Sequence, residues 1–198
     1  MKKTPFEKDI YIISDRVDVL KEAVEDGAAI VQLRDKSGDK QEILRKALEI
    51  VAFRQVRPFI FILNDDPELA VKAGADGVHV GQDTSTEETR RKMSPDMILG
   101  KTTHNLKQAR QAIYDGADYI SVGPVHATPT KPGRQAVGLS YVREAAENLN
   151  IPFVVIGGID LTNIDDVLDA GARTVGVVRA CGDTRELLAR VKGKKIED

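Results

Sequence analysis

Three kinds of side chain that can bind a phosphate stand close together in one short run of the sequence. Gln32, Arg34 and Lys36 alternate with the apolar Val31 and Leu33. The two-residue period of a β-strand places the three polar side chains on one face and the two apolar ones on the other. An amide, a guanidinium and an ammonium group suit phosphate oxygens. We therefore predict an anion site where this strand ends, with a solvated strand end as the alternative.

Oxygen-bearing side chains that suit a metal ion follow two later apolar runs. Asn64 and Asp65 come directly after one of them, and Asp83 follows the next. Mg²⁺ prefers oxygen ligands and is commonly shared between one or two carboxylates and substrate phosphates. The sequence therefore predicts a Mg²⁺ site with Asp65 and Asp83 as ligands. The alternative is that these are turn-forming residues of strand–helix loops.

Neighbouring residues in the same runs have patterns of structural roles. Asp66 before Pro67 is typical of a helix N-cap followed by proline at the first helical position. Thr84, with Glu87 three residues later, matches a capping box, so we expect Thr84 to cap the next helix. His79 lies inside an apolar strand with no zinc-ligand spacing around it, which favours a hydrogen-bonded interior histidine over a metal ligand.

A second group of candidate anion-binding residues lies in segment 123–138, which has no periodic apolar pattern. Thr128, Thr130, Lys131 and Arg134 place two hydroxyls and two cations among prolines and glycines. A long irregular loop in a short chain is usually functional, and this composition suits a lid over an anion.

The residues that could do chemistry all follow β-rich runs, and those runs belong to a repeat. Four similar phrases each begin around a glycine that follows a helix-like segment: DGAAIVQLR (26–34), AGADGVHVG (73–81), DGADYISVG (115–123) and AGARTVGVV (170–178). Four more β-rich runs lie between them, at 10–14, 59–63, 98–102 and 153–157. Glycine ends a helix readily in the left-handed conformation, so the repeating unit is helix, glycine, strand.

Strict alternation of eight strands and eight helices requires a parallel sheet, because every return connection is a helix. A closed (β/α)₈ TIM barrel and an open doubly wound sheet both satisfy it. The four equally spaced phrases favour the barrel. We predict one α/β domain spanning residues 1–198, with the site at the carboxyl ends of the strands.

Composition excludes several classes of protein. Lys and Arg number 29 against 31 Asp and Glu, a net charge of −2, so there is no basic excess for binding a nucleic acid. The single cysteine, Cys181, cannot form an intrachain disulfide, which fits a reducing cytoplasmic setting. We expect neither a signal peptide nor a membrane span. A homo-oligomer is compatible with the sequence.

The motifs together resemble the thiamine phosphate synthase family, from Tyr11 to about Cys181. The phrases that carry the resemblance stand at successive strand ends: Gln32-Leu33-Arg34-Asp35-Lys36, Asn64-Asp65-Asp66, Gly77-Val78-His79-Val80-Gly81-Gln82, Thr102-Thr103-His104, Gly123-Pro124, Thr128-Pro129-Thr130-Lys131 and Gly157-Gly158-Ile159. Each phrase is weak alone, and their order along the chain makes the resemblance specific.

The resemblance implies a transferase of thiamine biosynthesis. Such an enzyme joins 4-amino-2-methyl-5-(hydroxymethyl)pyrimidine diphosphate to 4-methyl-5-(2-hydroxyethyl)thiazole phosphate and releases pyrophosphate. It implies that Mg²⁺ is held by Asp65 and that Arg34, Lys131 and Thr102 are catalytic. Around the pyrimidine diphosphate it places Gln32, Leu33, Arg34, Asp35, Lys36, Asn64, Thr102 and Lys131. Around the thiazole phosphate it places Thr128, Pro129, Thr130, Gly158, Val178 and Arg179.

This sequence departs from the family pattern at three positions. The usual Gly-Gln-x-Asp phrase reads Gly81-Gln82-Asp83-Thr84, with the aspartate one residue early. Thr102 stands where serine is common, and Arg179 where serine often stands. Two other functions stay open: a related thiazole tautomerase, which would use His104 for proton transfer, and a non-catalytic protein that binds thiamine precursors.

Overall fold

The predicted barrel is confirmed. In a computed structural model that describes residues 6–130, 133 and 135–193, eight parallel strands close in the order β1 to β8, and β1 pairs with both β2 and β8. The strands are β1 (Asp9–Ser14), β2 (Ile30–Leu33), β3 (Ile60–Asn64), β4 (Gly77–Val80), β5 (Ile98–Thr103), β6 (Tyr119–Val122), β7 (Phe153–Ile156) and β8 (Thr174–Val177).

One α-helix follows each strand. The helices are α1 (Val17–Glu25), α2 (Lys40–Ala52), α3 (Pro67–Ala73), α4 (Thr86–Arg91), α5 (Leu106–Tyr114), α6 (Gly138–Asn148), α7 (Ile164–Asp169) and α8 (Thr184–Val191). None of the helices that the structure describes is long and apolar enough to cross a bilayer.

The glycine of the repeated phrase ends the helix before each even-numbered strand. Gly74 adopts φ 72°, ψ 34° and follows α3, where a residue with a side chain would be strained. Its three counterparts also have positive φ: Gly27, Gly116 and Gly171. The chain can therefore turn sharply from each of these helices into the next strand.

An aspartate after two of these glycines accepts a hydrogen bond from the neighbouring strand at the amino end of the barrel. Asp76 accepts a hydrogen bond from the Phe61 backbone N–H at 2.8 Å, and Asp118 accepts one from Leu99 N at 2.8 Å. Arg54 pairs with Asp76, and Arg90 pairs with Asp118. The repeated phrase thus satisfies, on the neighbouring strand, an N–H group that would otherwise lack a partner.

Two apolar cores flank the strands. One lies between the strands and the helices and takes the outward-facing residues, such as Val31 and Leu33. The other fills the barrel interior and includes Tyr11 and Tyr119, with the Phe6 ring stacked on Tyr119 at a centroid distance of 4.4 Å. Side chains therefore fill the barrel interior, and the opening lies at the carboxyl ends of the strands.

Candidate active site

A cavity of about 780 Å³ occupies the mouth of the barrel at the carboxyl ends of the strands. This is where the fold places active sites. Most of the side chains predicted from the sequence meet there: Gln32, Arg34, Lys36, Asn64, Asp65, Asp83, Thr102, Thr128, Thr130, Gly158, Val178 and Arg179. The barrel thus brings together residues up to 147 positions apart.

Three of the predicted residues do not line the cavity. The side chain of Leu33 is fully buried in the layer beneath the helices. Asp35 accepts a hydrogen bond from Lys46 Nζ at 2.6 Å, and this contact lowers the pKa of Asp35 to about 2. Pro129 is exposed at the surface of its loop. Strand alternation turns the Leu33 side chain outward. The contacts of Leu33, Asp35 and Pro129 with a substrate stay predictions.

Two of the loop cations, Lys131 and Arg134, lie outside the described residues. Their described neighbours support the prediction of an irregular loop, since the structure assigns no helix or strand to residues 123–130 or 135–137. Within that loop, Thr130 N donates to Thr128 Oγ1 at 3.3 Å. Both hydroxyl-bearing residues line the cavity.

The cationic side of the mouth is built by the ends of β2 and β3. Arg34 N donates to the Ser14 carbonyl at 2.9 Å, so Arg34 continues the strand ladder. Lys36 Nζ forms an ion pair with the Asp65 carboxylate. Asp65 has φ 65°, a left-handed conformation that is uncommon for a residue with a side chain. An irregular backbone position is typical of functional sites.

The carbonyl of His79 shapes the end of β3. It accepts hydrogen bonds from Asn64 Nδ2 at 2.8 Å and from Asp65 N at 2.9 Å. With the amide nitrogen used in this way, Asn64 Oδ1 is buried at the cavity and has no hydrogen-bond partner among the described residues. A buried acceptor of this kind is free to bind a ligand atom.

A buried lysine holds the loop between β4 and α4. Lys101 Nζ donates to the carbonyls of Gly81 at 2.7 Å and Gln82 at 3.3 Å, and also to that of Thr84. Burial lowers the pKa of Lys101. The residue between these carbonyls is Asp83, which lines the cavity. Lys101 therefore fixes the backbone on both sides of a candidate metal ligand.

The predicted capping role of Thr84 is wrong. Helix α4 begins at Thr86, and its N-cap is Ser85, whose Oγ accepts from Glu88 N at 3.2 Å. The capping-box pattern fits the sequence in both registers, one residue apart. Thr84 lies in the loop, where its carbonyl accepts a hydrogen bond from Lys101, and Ser85 caps the helix.

The oxygen donors at the mouth fit Mg²⁺. Asp65, Asp83 and Asn64 carry hard oxygen donors and line the cavity at the ends of two adjacent strands. Among the described residues no three or more His, Cys, Asp or Glu side chains form a metal-binding group. A Mg²⁺ ion is usually held by one or two carboxylates, with water and substrate phosphate completing the octahedron. The donor set suits an ion that binds together with a diphosphate.

Tyr11, which the strand-end pattern does not predict, lines the cavity and contacts Tyr119 in the barrel interior. Tyr11 and Tyr119 are buried in the barrel interior, and His79 lies between Tyr119 and Thr102. The prediction that His79 is a hydrogen-bonded interior histidine is confirmed. Inward alternation within each strand is the sequence signal for Tyr11 and Tyr119, but their apolar neighbours are equally typical of ordinary core residues.

The opposite side of the mouth is formed by the ends of β7 and β8. Gly158, Val178 and Arg179 line the cavity, and Asn163 Nδ2 holds the Gly158 carbonyl at 2.9 Å. Asp160 also lines this side, and hydrogen bonds from Thr162 lower its pKa. Glycine backbone and an arginine at this position suit a second phosphate group.

The family model described as thiamine monophosphate synthase matches residues 7–181. The chain belongs to this family. A thiamine-phosphate synthase from Thermus thermophilus is 48% identical over 168 residues, covering 84% of this chain and 81% of the relative. One from Thermosynechococcus vestitus is 42% identical over 194 residues, covering 92% of this chain but only 55% of that longer protein.

A solved structure has a similar fold. It is a thiamine phosphate pyrophosphorylase from Pyrococcus furiosus, with a TM-score of 0.84 and 27% identity, covering 94% of this chain and 98% of the other. The likeness extends through the whole barrel.

Proposed function

We propose that this protein is a thiamine phosphate synthase, a transferase that couples 4-amino-2-methyl-5-(hydroxymethyl)pyrimidine diphosphate with 4-methyl-5-(2-hydroxyethyl)thiazole phosphate. One observation carries the proposal. A single cavity has two separate sides suited to anions, with Arg34 and Lys36 on one and Gly158 and Arg179 on the other. Two anionic substrates that react with each other need such an arrangement. The names of the relatives support it.

The reaction we propose is dissociative. The carbon–oxygen bond of the pyrimidine diphosphate breaks, its electron pair stays on the diphosphate oxygen, and a resonance-stabilised pyrimidine methylene cation remains. The thiazole nitrogen donates its lone pair to that carbon and forms the new carbon–nitrogen bond. The step needs no general base, so the protein mainly stabilises charge on the departing diphosphate.

The chain's own residues have distinct parts in this proposal. Arg34 and Lys36 bind diphosphate oxygens, and the hydroxyl of Thr102 donates a hydrogen bond to the same group. The family resemblance adds Lys131 to this set. Asp65, with Asp83, would hold Mg²⁺, which when bound neutralises charge on the diphosphate. Thr128, Thr130 and Gly158 hold the thiazole phosphate.

The test is a coupled assay with both substrates and Mg²⁺. We expect one pyrophosphate per thiamine phosphate, measured by an enzymatic pyrophosphate assay and by mass spectrometry. Without the thiazole phosphate, the protein should release no more than one pyrophosphate per enzyme molecule. Binding of the pyrimidine diphosphate without release would instead indicate a non-catalytic binding protein.

A second candidate, a thiazole tautomerase, is favoured by one residue. His104 lines the cavity, and its Nδ1 is bonded to the Gly123 carbonyl. This function would be favoured if the protein neither binds the pyrimidine diphosphate nor releases pyrophosphate in the coupled assay. The variant His104→Ala separates the two directly, because coupling needs no base and should persist, whereas proton transfer would be lost.

A further inference from the structure

Five buried side chains form a continuous hydrogen-bonded chain beneath the cavity. Gln32 Nε2 donates to Tyr11 Oη at 2.6 Å, and Tyr11 Oη lies 3.0 Å from Tyr119 Oη. Tyr119 Oη lies 2.9 Å from His79 Nδ1, and His79 Nε2 lies 3.0 Å from Thr102 Oγ1. The five residues come from β1, β2, β4, β5 and β6. None exposes more than 8% of its surface.

The hydrogen bonds that link these five side chains run in one direction, which begins at Gln32. The amide of Gln32 can only donate through Nε2, so the Tyr11 oxygen is the acceptor. Burial raises the pKa of both Tyr11 and Tyr119, so each phenol keeps its proton. If Tyr119 donated to Tyr11, the buried Tyr11 proton would have no acceptor among the described residues, which is costly. Tyr11 therefore donates to Tyr119.

The direction then passes through the histidine. Tyr119 has accepted from Tyr11, so its own proton goes to His79 Nδ1. An imidazole that accepts at Nδ1 is neutral and carries its proton on Nε2. His79 Nε2–H donates to Thr102 Oγ1. The single proton of the Thr102 hydroxyl is then left to donate to an acceptor in the cavity, which Thr102 lines.

We propose that Tyr11, Tyr119 and His79 are positioning residues that hold the Thr102 hydroxyl as a hydrogen-bond donor towards the anion bound in the mouth. The identity of that anion as the departing diphosphate rests on the proposed function, but the direction of the chain does not. Negative charge grows on the leaving oxygen as its bond to carbon breaks, so a donor already aimed at it stabilises the transition state more than the ground state.

The first measurement is the tautomer of His79 in the ligand-free protein. Long-range ¹H–¹⁵N correlation spectra of ¹⁵N-histidine-labelled protein distinguish the two neutral tautomers and the imidazolium. The chain has three histidines, so His104→Ala and His126→Ala assign the His79 signals. We expect neutral His79 with its proton on Nε2. A proton on Nδ1, or a charged ring, would overturn the proposal.

The second measurement uses Tyr119→Phe, which keeps the ring that stacks on Phe6 and removes only the hydroxyl. We expect the His79 signals to become a mixture of tautomers, because the donor to Nδ1 is gone. The kcat for pyrophosphate release should fall about tenfold, the effect of one lost hydrogen bond in the transition state. The KM for thiazole phosphate should not change. An unaltered His79 spectrum or an unaltered kcat contradicts the proposal.

Two further variants separate a directional chain from a merely structural one. Tyr11→Phe leaves Tyr119 able to donate to His79, so the tautomer should be kept and kcat should fall less than in Tyr119→Phe. Tyr141→Phe is the matched control: its buried hydroxyl contacts Thr103 Oγ1 at 2.7 Å on the helix side of β5. It should alter neither readout, and thermal unfolding checks that all variants are folded.

Failure of the proposed function would be recognised separately. If the wild-type protein releases no pyrophosphate, the coupling proposal fails. The His79 tautomer in the wild-type protein and in the tyrosine variants still tests the direction of the hydrogen bonds from Gln32 to Thr102. Titration with inorganic pyrophosphate and Mg²⁺ then measures the donor role of Thr102, since Tyr119→Phe should weaken binding severalfold and Tyr141→Phe should not.

Discussion

At the scale of single residues, the charged side chains at the mouth are those that we expect to bind the anion and the metal ion. Arg34 lies at the cavity on a strand end, and the guanidinium is always charged. Asp65 and Asp83 occupy the same mouth from different loops.

Arg34→Ala should lower pyrophosphate release by two to three orders of magnitude, because loss of one preorganised charge contact costs about 2.7–4 kcal/mol of barrier. Steady-state assays measure the effect. Arg45→Ala is the control, since Arg45 pairs with Glu42 and Glu49 on the exposed face of α2. Near-normal turnover in Arg34→Ala would contradict the site.

Asp65→Asn should weaken Mg²⁺ dependence more than Asp83→Asn does. Asp65 sits beside the proposed diphosphate cations, whereas Asp83 stands one residue early in its phrase and is expected to reach the ion directly or through water. Mn²⁺ titration monitored by electron paramagnetic resonance gives the affinities. Asp66→Asn is the neighbouring control, because the Asp66 carboxylate accepts from Leu69 N at the start of α3. Equal losses in both site variants would refute the ranking.

At the scale of elements, the loop between β4 and α4 contains one of the three departures from the family pattern, the phrase Gly81-Gln82-Asp83-Thr84. Its backbone is held by Lys101 from the next strand, and its end is set by the Ser85 cap. We therefore expect substitution of Ser85 to lower the stability of the protein and substitution of Lys101 to weaken metal binding.

Ser85→Ala should cost roughly 1 kcal/mol in the free energy of unfolding, because the N-cap bond to Glu88 N is lost. Thr84→Ala should cost less, since the Thr84 contact to Lys101 uses its carbonyl and survives the substitution. Urea unfolding of the two variants gives the comparison. A larger loss for Thr84→Ala would restore Thr84 as the cap.

Lys101→Met should loosen the loop while leaving the barrel folded, because methionine fills a similar buried volume without donating to the three carbonyls. Amide exchange of residues 81–85 should accelerate, and Mn²⁺ affinity in the presence of pyrophosphate should fall about tenfold, as for other supporting contacts of metal ligands.

The matched control for Lys101→Met is Arg54→Met. Arg54 donates to the Gly74 carbonyl and pairs with Asp76 at the other end of the barrel. This variant is expected to lower stability with no change in Mn²⁺ affinity. Unchanged exchange at residues 81–85 in Lys101→Met would show that the lysine does not hold the loop.

At the scale of the whole molecule, stability should depend on acid through carboxylates that are paired in the folded state. Lys46 lowers the pKa of Asp35 to about 2 from the usual 3.8. A lowered pKa means that the folded state favours the charged form, so this stabilisation is complete above about pH 4 and is lost as the pH falls towards 2. The contribution is at most about 2 kcal/mol.

Asp35→Asn tests this linkage. Its free energy of unfolding should lie below that of the wild-type protein at pH 5, and the difference should shrink at pH 2 to 3. Urea denaturation at several pH values provides the measurement. A constant difference across this range would mean that the Asp35 charge does not contribute.

The sequence by itself determined the architecture and the edge of the barrel that carries the site. Glycines at fixed places in four phrases and the strand period of two are local properties. The eight strands, the faces of Gln32 and Arg34, and the position of Asn64 and Asp65 at a strand end could therefore be predicted without tertiary information. The family phrases added the chemistry.

Only the tertiary structure decided which residues meet. Tyr11 and Tyr119 are 108 positions apart, and their contact exists because the barrel closes. The sequence fits a cap at Thr84 or at Ser85, and the structure has Ser85 as the cap, with Lys101 from the neighbouring strand bonded to the Thr84 carbonyl. Periodicity specifies the face on which a side chain lies, whereas the distance between two faces is set by packing across the whole barrel. For this reason the strand ends were predictable and the buried chain from Gln32 to Thr102 was not.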